Sequence, residues 1–237
     1  MKKYSIYNII LTETTLNTYS FEKNVEKLPN TIPVFPLNNA LLLPKCTLPL
    51  NLFENRYLHM FDYALKKNRI IGMVQPIEKT ANNKNPEVYS VGCAGLIVAF
   101  TQTNDNRYEI VLKGLSRYQI LNETSPLKGF RVFNVSWESF KSDINKNIVS
   151  KLTKRNIFED KLKLYFKKIS INADWQAIEA SNDEDLVNSI SMGCPFTNIE
   201  RQALLEAKSL DHRIDVLNSL IDMSINDNDS FKSQSLS

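Results

Sequence analysis

Two histidines, three cysteines and six glycines are the residues with which this 237-residue chain could do metal, nucleophilic or phosphate chemistry. His59 and His212 lie on separate predicted helices. Neither has an HxxxH or ExxH partner, the spacings that put two metal ligands, or a ligand and a base, on one helical face. Both read as ordinary helix residues. Cys46, Cys93 and Cys194 are odd in number and widely spaced, so they offer neither a disulfide framework nor a CxxC pair. They are expected as reduced, small apolar side chains in a cytoplasmic protein. No glycine precedes a lysine, and GxGxxG and GxSxG are both absent, which removes phosphate loops, dinucleotide turns and the nucleophile elbow. A Ser–Lys dyad is the one arrangement left open, because both residues are abundant. The expectation is a chain without catalytic residues, cofactor or metal.

The remaining charged feature is a run of cations, Lys151, Lys154, Arg155, Lys161, Lys163, Lys167 and Lys168, set against only Glu159 and Asp160. Clustered cations release counterions from a phosphate backbone, so RNA is a partner to weigh. The neighbouring aromatics Phe158, Tyr165 and Phe166 fall on one apolar stripe that should pack inward, which leaves no stacking platform, and nucleic acid ranks behind protein as a partner. A net charge of +3 adds little. No apolar run approaches the roughly 20 residues of a membrane span, and the longest, Cys93–Phe100, suits a buried strand. The stretch after Met1-Lys2-Lys3 is too short and polar for a secretory signal.

These residues sit on two kinds of element. Residues 1–30 are polar and aperiodic, an expected extension that is loosely attached or disordered. Ile32–Leu37 carries Pro33 and Pro36, whose missing donors suit an edge strand. Pro44 and Pro49 then punctuate an extended apolar stretch. Leu58, Phe61 and Leu65 share a face of a short helix over 55–67, with Asn55 as its cap and Asn68 closing it. Strands are predicted over 70–75, 89–101, 107–113, 117–121 and 131–140, with Asn104-Asp105-Asn106 as a hairpin turn. After a polar linker at 141–147 the pattern is helical: about 148–169, a short piece around Trp175, a helix after Ser181 or Asn182 that ends at Gly193, a Thr197–Glu200 capping box, and a last helix capped by Ser209. The fold class expected is α+β: a β domain over 31–140, a helical bundle over 148–226 and a disordered tail over 227–237.

The ordered run Ile32-Pro33-Val34-Phe35-Pro36-Leu37, Ala40-Leu41-Leu42-Leu43-Pro44, Leu48-Pro49-Leu50, Phe53-Glu54, Arg56-Tyr57 and Ile71-Gly72-Met73 resembles the N-terminal domain of Lon proteases. The likeness continues through Val91-Gly92-Cys93-Ala94-Gly95 and Gly114-Leu115-Ser116-Arg117-Tyr118. In the helical half it rests on Asp174-Trp175, Leu186-Val187-Asn188, Pro195-Phe196 and Gln202-Ala203-Leu204-Leu205-Glu206, which resemble family members that lack motor and peptidase. Two residues depart from the family pattern: Asn55, where proline is common, and Asn39, where glycine is common. The resemblance implies a PUA-like β pseudo-barrel followed by helices. It also implies a non-catalytic role in binding unfolded or partner protein segments, with a protease or chaperone as a further partner. The alternatives are an RNA-binding PUA-like protein and an accessory part of a proteolytic complex. The surface expected to bind polypeptide comprises Leu42, Pro44, Leu48, Leu50, Phe53, Arg56 and Tyr57; the competing reading makes Leu42, Leu48, Leu50 and Phe53 core and Arg56 a structural partner of Glu54.

Overall fold

Six strands and six helices alternate and then segregate along the chain, in a computed structural model described over residues 28–81, 83, 85–144, 152 and 155–226. The expected N-terminal extension and C-terminal tail lie almost wholly outside these residues. The strands are β1 (Thr31–Pro36), β2 (Thr47–Leu52), β3 (Ile70–Val74), β4 (Val91–Gln102), β5 (Tyr108–Glu123) and β6 (Arg131–Ser136); α1 (Asn55–Leu65) follows β2. Their order is β2-β5-β4-β3-β1-β6, and β6 pairs again with β5. Five strands therefore close a ring, and β2 hangs on its outside. One strand makes this possible: the N-terminal half of β5 pairs with β2 (Lys113–Tyr108) and its C-terminal half with β6 (Gln119–Glu123), while β4 runs along its other edge.

Two expectations change here. The strands predicted over 107–113 and 117–121 are one 16-residue strand, kinked by register shifts opposite Ala94/Gly95 and Ile97/Ala99 rather than broken at Gly114. A Cβ at Gly114 would stand 2.1 Å from the Leu43 carbonyl oxygen, so the glycine serves close backbone approach within a continuous strand. β1 is not an edge strand: it lies between β3, in parallel, and β6, antiparallel. Its prolines fit because Leu37 N–H bonds the Val74 oxygen, so by strand alternation Pro33 also faces β3 and Pro36 faces β6. The β3 ladder begins only at Val34 and the β6 ladder ends at Val34, so each proline lies beyond the pairing on the side where it lacks a donor.

The barrel interior is filled by Ile32, Val34, Ile70, Val74, Ala94, Tyr118, Phe133 and Val135. Tyr118 is fully buried and its hydroxyl donates to the Met73 carbonyl at 3.1 Å. A Cβ at Gly92 would lie 2.4 Å from that hydroxyl, which is why the glycine is needed there. Burial in this apolar setting pushes the Tyr118 phenol well above its ordinary range. Beside it, Arg117 is buried too: Nε and Nη2 donate to Asp143 at 2.8 and 2.7 Å, Nη1 donates to the Leu205 carbonyl, and the guanidinium covers the Phe140 ring. Asp143 closes a 3-10 segment, Glu138–Asp143, where the sequence suggests that the last strand runs on to Phe140.

The helices after the barrel are α2 (Arg155–Lys168), α3 (Trp175–Ala180), α4 (Asp183–Gly193), α5 (Asn198–Glu206) and α6 (Leu210–Asn226). Residues 145–151 and 153–154, where the sequence places the start of the first of these, lie outside the described set. Their caps are legible chemistry. Asn182 accepts from Asp185 N–H, Thr197 and Glu200 bond each other's backbone N–H, and Ser209 accepts from His212 N–H. The helices divide, however. Phe196–Leu205 clusters with the sheet, whereas α2, α3, α4 and α6 form a second compact unit. In the first unit α5 is fastened to the turn after β1. Asn198 Oδ1 accepts from Asn39 N–H, Asn198 Nδ2 donates to Asn38, and Arg201 donates to the Asn39 carbonyl. Asn39 adopts φ 58°, the left-handed conformation that asparagine tolerates and that glycine ordinarily supplies. In the second unit Phe158, Leu162, Tyr165 and Phe166 of α2 are buried, as the stripe predicts.

Candidate functional site

β2 is built to be an edge. Pro44 lies in the turn Leu43–Cys46 that leads into it, where Lys45 takes φ 70°, Pro49 within it favours extended backbone, and among the described residues it pairs with β5 alone. Lys45 N–H bonds Gly114 O and Gly114 N–H bonds Cys46 O, a bulge that sets the alternation of the strand beyond it. By that alternation Leu48, Leu50 and Leu52 direct their backbone groups to β5, while Thr47, Pro49 and Asn51 direct theirs outward. The outer edge thus offers the N–H of Thr47 and Asn51 and the carbonyls of Thr47, Pro49 and Asn51. Pro49 is tolerated because its missing donor faces outward.

Apolar surface surrounds this edge. Pro49, Val111 and Ala99 form one cross-strand row and Asn51, Glu109 and Thr101 the next, on the floor of an open groove of about 390 Å³. Phe53, 61% exposed, sits under the Arg107 guanidinium at 5.8 Å, and Phe100, 49% exposed, stacks edge-on against Phe61 at 5.3 Å. Phe61 in turn lies 4.5 Å from Tyr108. Two large aromatics held at the surface by packed neighbours are rigid anchors rather than loose side chains.

The residues proposed from sequence separate into three groups. Leu42 and Pro44 are buried and belong to the interior. Leu48 and Leu50 are half-buried on β2, on the face shared with Ile110 and Leu112, and Phe53 is open to solvent. Arg56 and Tyr57 lie in the first turn of α1 and line a separate polar cleft of about 80 Å³ with Arg131, Asn38 and Phe130. The helical face differs from the one expected: Tyr57, Met60, Phe61 and Ala64 are buried, with Leu58 and Leu65 on the flanks. The cap is Glu54, not Asn55, and the helix closes at Lys66 rather than Asn68. Arg56 does bond Glu54, Nε to Oε2 at 2.9 Å. Desolvation raises the Tyr57 phenol above its ordinary value, Glu54 adds to this, and the Arg56 and Arg131 charges oppose it.

Sequence reasoning misses Phe100 and Arg131. Phe100 ends the longest apolar run, which marks it as buried, but β4 changes from buried to exposed toward its hairpin. The signal available is the polar Thr101-Gln102-Thr103 immediately after it.

On the cation-rich helix most of the described charges are occupied. Arg155 bonds Glu159, Asp183 and the Ile178 and Ser181 carbonyls, Lys161 pairs with Asp222 at 2.8 Å, Lys163 pairs with Asp160 and covers Trp175, and Lys168 donates to the Ser224 and Ile225 carbonyls. Lys151 and Lys154 lie outside the described residues. Among those described, no group of three His, Cys, Asp or Glu could hold a metal, and no helix is long and apolar enough to cross a membrane.

A closed mixed barrel carrying an external strand, with a helical segment downstream, defines an α+β protein of the Lon N-terminal kind. The description "ATP-dependent protease La (LON) substrate-binding domain" matches residues 31–223, and the chain belongs to that family. It is 21% identical over 216 residues to the Lon protease of Desulfosudis oleivorans, a match covering 84% of this chain and 26% of that protein. Against the Lon protease of Parabacteroides distasonis it is 30% identical over 122 residues, covering 49% and 14%. The chain thus spans about a quarter or less of the relatives it matches. The Lon N-terminal domain protein from Xanthomonas campestris superposes with a TM-score of 0.58 at 19% identity, and the N-terminal domain of a Mycobacterium avium complex Lon protease with 0.57 at 16%; each covers 81% of this chain and 98% of the other.

Proposed function

We propose that the chain is a non-catalytic polypeptide-binding module that captures extended, apolar protein segments along the outer edge of β2. The observation that carries this reading is the strand itself, with backbone donors and acceptors directed outward and the exposed rings of Phe53 and Phe100 beside it. Main-chain bonds to such an edge give affinity without sequence preference, and the rings select apolar side chains. That combination suits unfolded polypeptide. Membership of a family described as a substrate-binding domain supports the reading, and a protease or chaperone is the natural recipient of what is held. The chemistry of cleavage and ATP hydrolysis is assigned to other chains or domains. Cys46, Cys93 and Cys194 form no disulfide among themselves, which suits action in a reducing cytoplasm.

The test is suppression of aggregation of a denatured client by the purified chain, repeated with Phe53→Ser and Phe100→Ser combined. Phe53 is mostly exposed and Phe100 about half exposed, so the double variant should still fold and lose most of the protection. Undiminished protection by a folded double variant would remove this surface from the proposal; no protection by the parent chain would remove the proposal itself.

A further inference from the structure

The polar cleft beside α1 has a tyrosine hydroxyl on its wall. Tyr57 is 8% exposed and lines the cleft; among the described residues nothing bonds its hydroxyl, which keeps contact with solvent there and can donate to a ligand. Its ring is fixed, packed 4.2 Å from Phe35 and covered by the Arg56 guanidinium at 4.5 Å, so the hydroxyl cannot swing elsewhere. Arg131 lines the same cleft. Its Nε and Nη2 grip Glu123 and its Nη1 bonds the Pro86 carbonyl, which uses three of its five N–H groups and leaves one on each terminal nitrogen. Gly129, at φ +87°, and Phe130 form the opposite wall.

A fixed phenol donor, two guanidiniums and about 80 Å³ of space suit a small planar anion. Each arginine already faces a glutamate, Arg56 with Glu54 and Arg131 with Glu123, so the residual positive field suits a monoanion better than a phosphate dianion. We infer that this cleft binds a carboxylate, and that the carboxylate is the C-terminus of a polypeptide held on β2; the second half of this statement rests on the function proposed above. Connectivity makes the two sites neighbours: Arg56 follows Leu52, the last residue of β2, by four residues, so their Cα atoms are at most roughly 14 Å apart. A strand running along the edge needs no more than about four further residues to deliver its end to the cleft.

The experiment is a fluorescence-anisotropy titration of the full chain with one apolar peptide in three forms: free C-terminal acid, C-terminal amide, and the amide with an internal aspartate. The acid is expected to bind roughly tenfold more tightly than either amide, the worth of a hydrogen bond to a charged group. Tyr57→Phe should bring the acid to the level of the amide while leaving the melting temperature unchanged, since the hydroxyl it removes has no partner among the described residues. Arg131→Gln should do the same to binding; should that variant fail to fold, Tyr57→Phe decides alone. If the aspartate-bearing amide matches the acid, the assignment to a chain terminus is overturned. Equal binding of acid and plain amide overturns the carboxylate site while the β2 reading stands. Failure of all three forms to bind overturns both.

Discussion

Removing Asp143 tests the account of how the first unit is tied together. Its carboxylate accepts from Arg117 Nε, Nη2 and the Arg117 backbone N–H at 2.7–2.9 Å, and the two side chains are 3% and 8% exposed. Asp143→Ala would take from a buried guanidinium the carboxylate that neutralises it. Breaking a buried pair from one side costs about 3–5 kcal/mol, a large share of the roughly 5–15 kcal/mol by which domains are ordinarily stable. Replacing both partners, Arg117→Met with Asp143→Leu, takes the stranded charge away, and that double variant should be more stable than Asp143→Ala alone. The chain has two tryptophans, Trp137 in the sheet unit and Trp175 in the helical one, so urea unfolding followed by fluorescence in a Trp175→Phe background reports the relevant transition. A loss below about 1 kcal/mol for Asp143→Ala, or a double variant worse than the single, would refute the reasoning, because either means that the charge is not stranded when its partner goes.

Asn55 occupies the first position of α1, after Glu54 at φ −75°, ψ 134°, a conformation that a following proline accepts. Asn55→Pro should therefore stabilise by about 0.4–1 kcal/mol, read as a rise in the urea midpoint; a fall would mean that the Asn55 N–H is used. Tyr118 gives a pH dependence. Its folded phenol titrates above the unfolded value near 10.0, so the folded state binds the extra proton and stability is full below that pH and declines as pH rises beyond it, by up to about 1.4 kcal/mol per unit. Unfolding compared at pH 9 and 11 checks this, and Tyr118→Phe should flatten the decline; an unchanged slope would place its cause elsewhere.

Capping and periodicity make the helical half legible in the sequence. Asn182, Thr197 with Glu200, and Ser209 are local signals, and each satisfies donors within its own first turn. The barrel is legible as a class, through strand-length apolar runs and the Lon-type motifs, but not in its connections. Whether Pro33 and Pro36 forbid a central strand depends on where two other strands begin and end, and that information is nonlocal. Gly114 looks like a break because the reason for it, the Leu43 carbonyl, arrives from 71 residues earlier in the chain. The same holds for the candidate site. Leu42 and Leu48 are alike in the sequence, and only their places in the fold make the first interior and leave the second half-buried on β2.

The placement of β2 outside the closed ring also bears on how the unit opens. Among the described residues every ring strand has a partner on both sides, so opening any of them breaks at least two ladders, whereas detaching β2 breaks only its ladder with β5. Local unfolding free energies follow such differences, from near zero at fraying ends and mobile loops up to the global value in the interior, and a strand held by one ladder lies below the ring strands on that scale. The strand proposed to hold polypeptide is thus also the one whose release leaves the rest of the barrel intact. A client paired with β2 would therefore be coupled to this strand's own opening equilibrium, with two-sided pairing holding the ring beneath it closed.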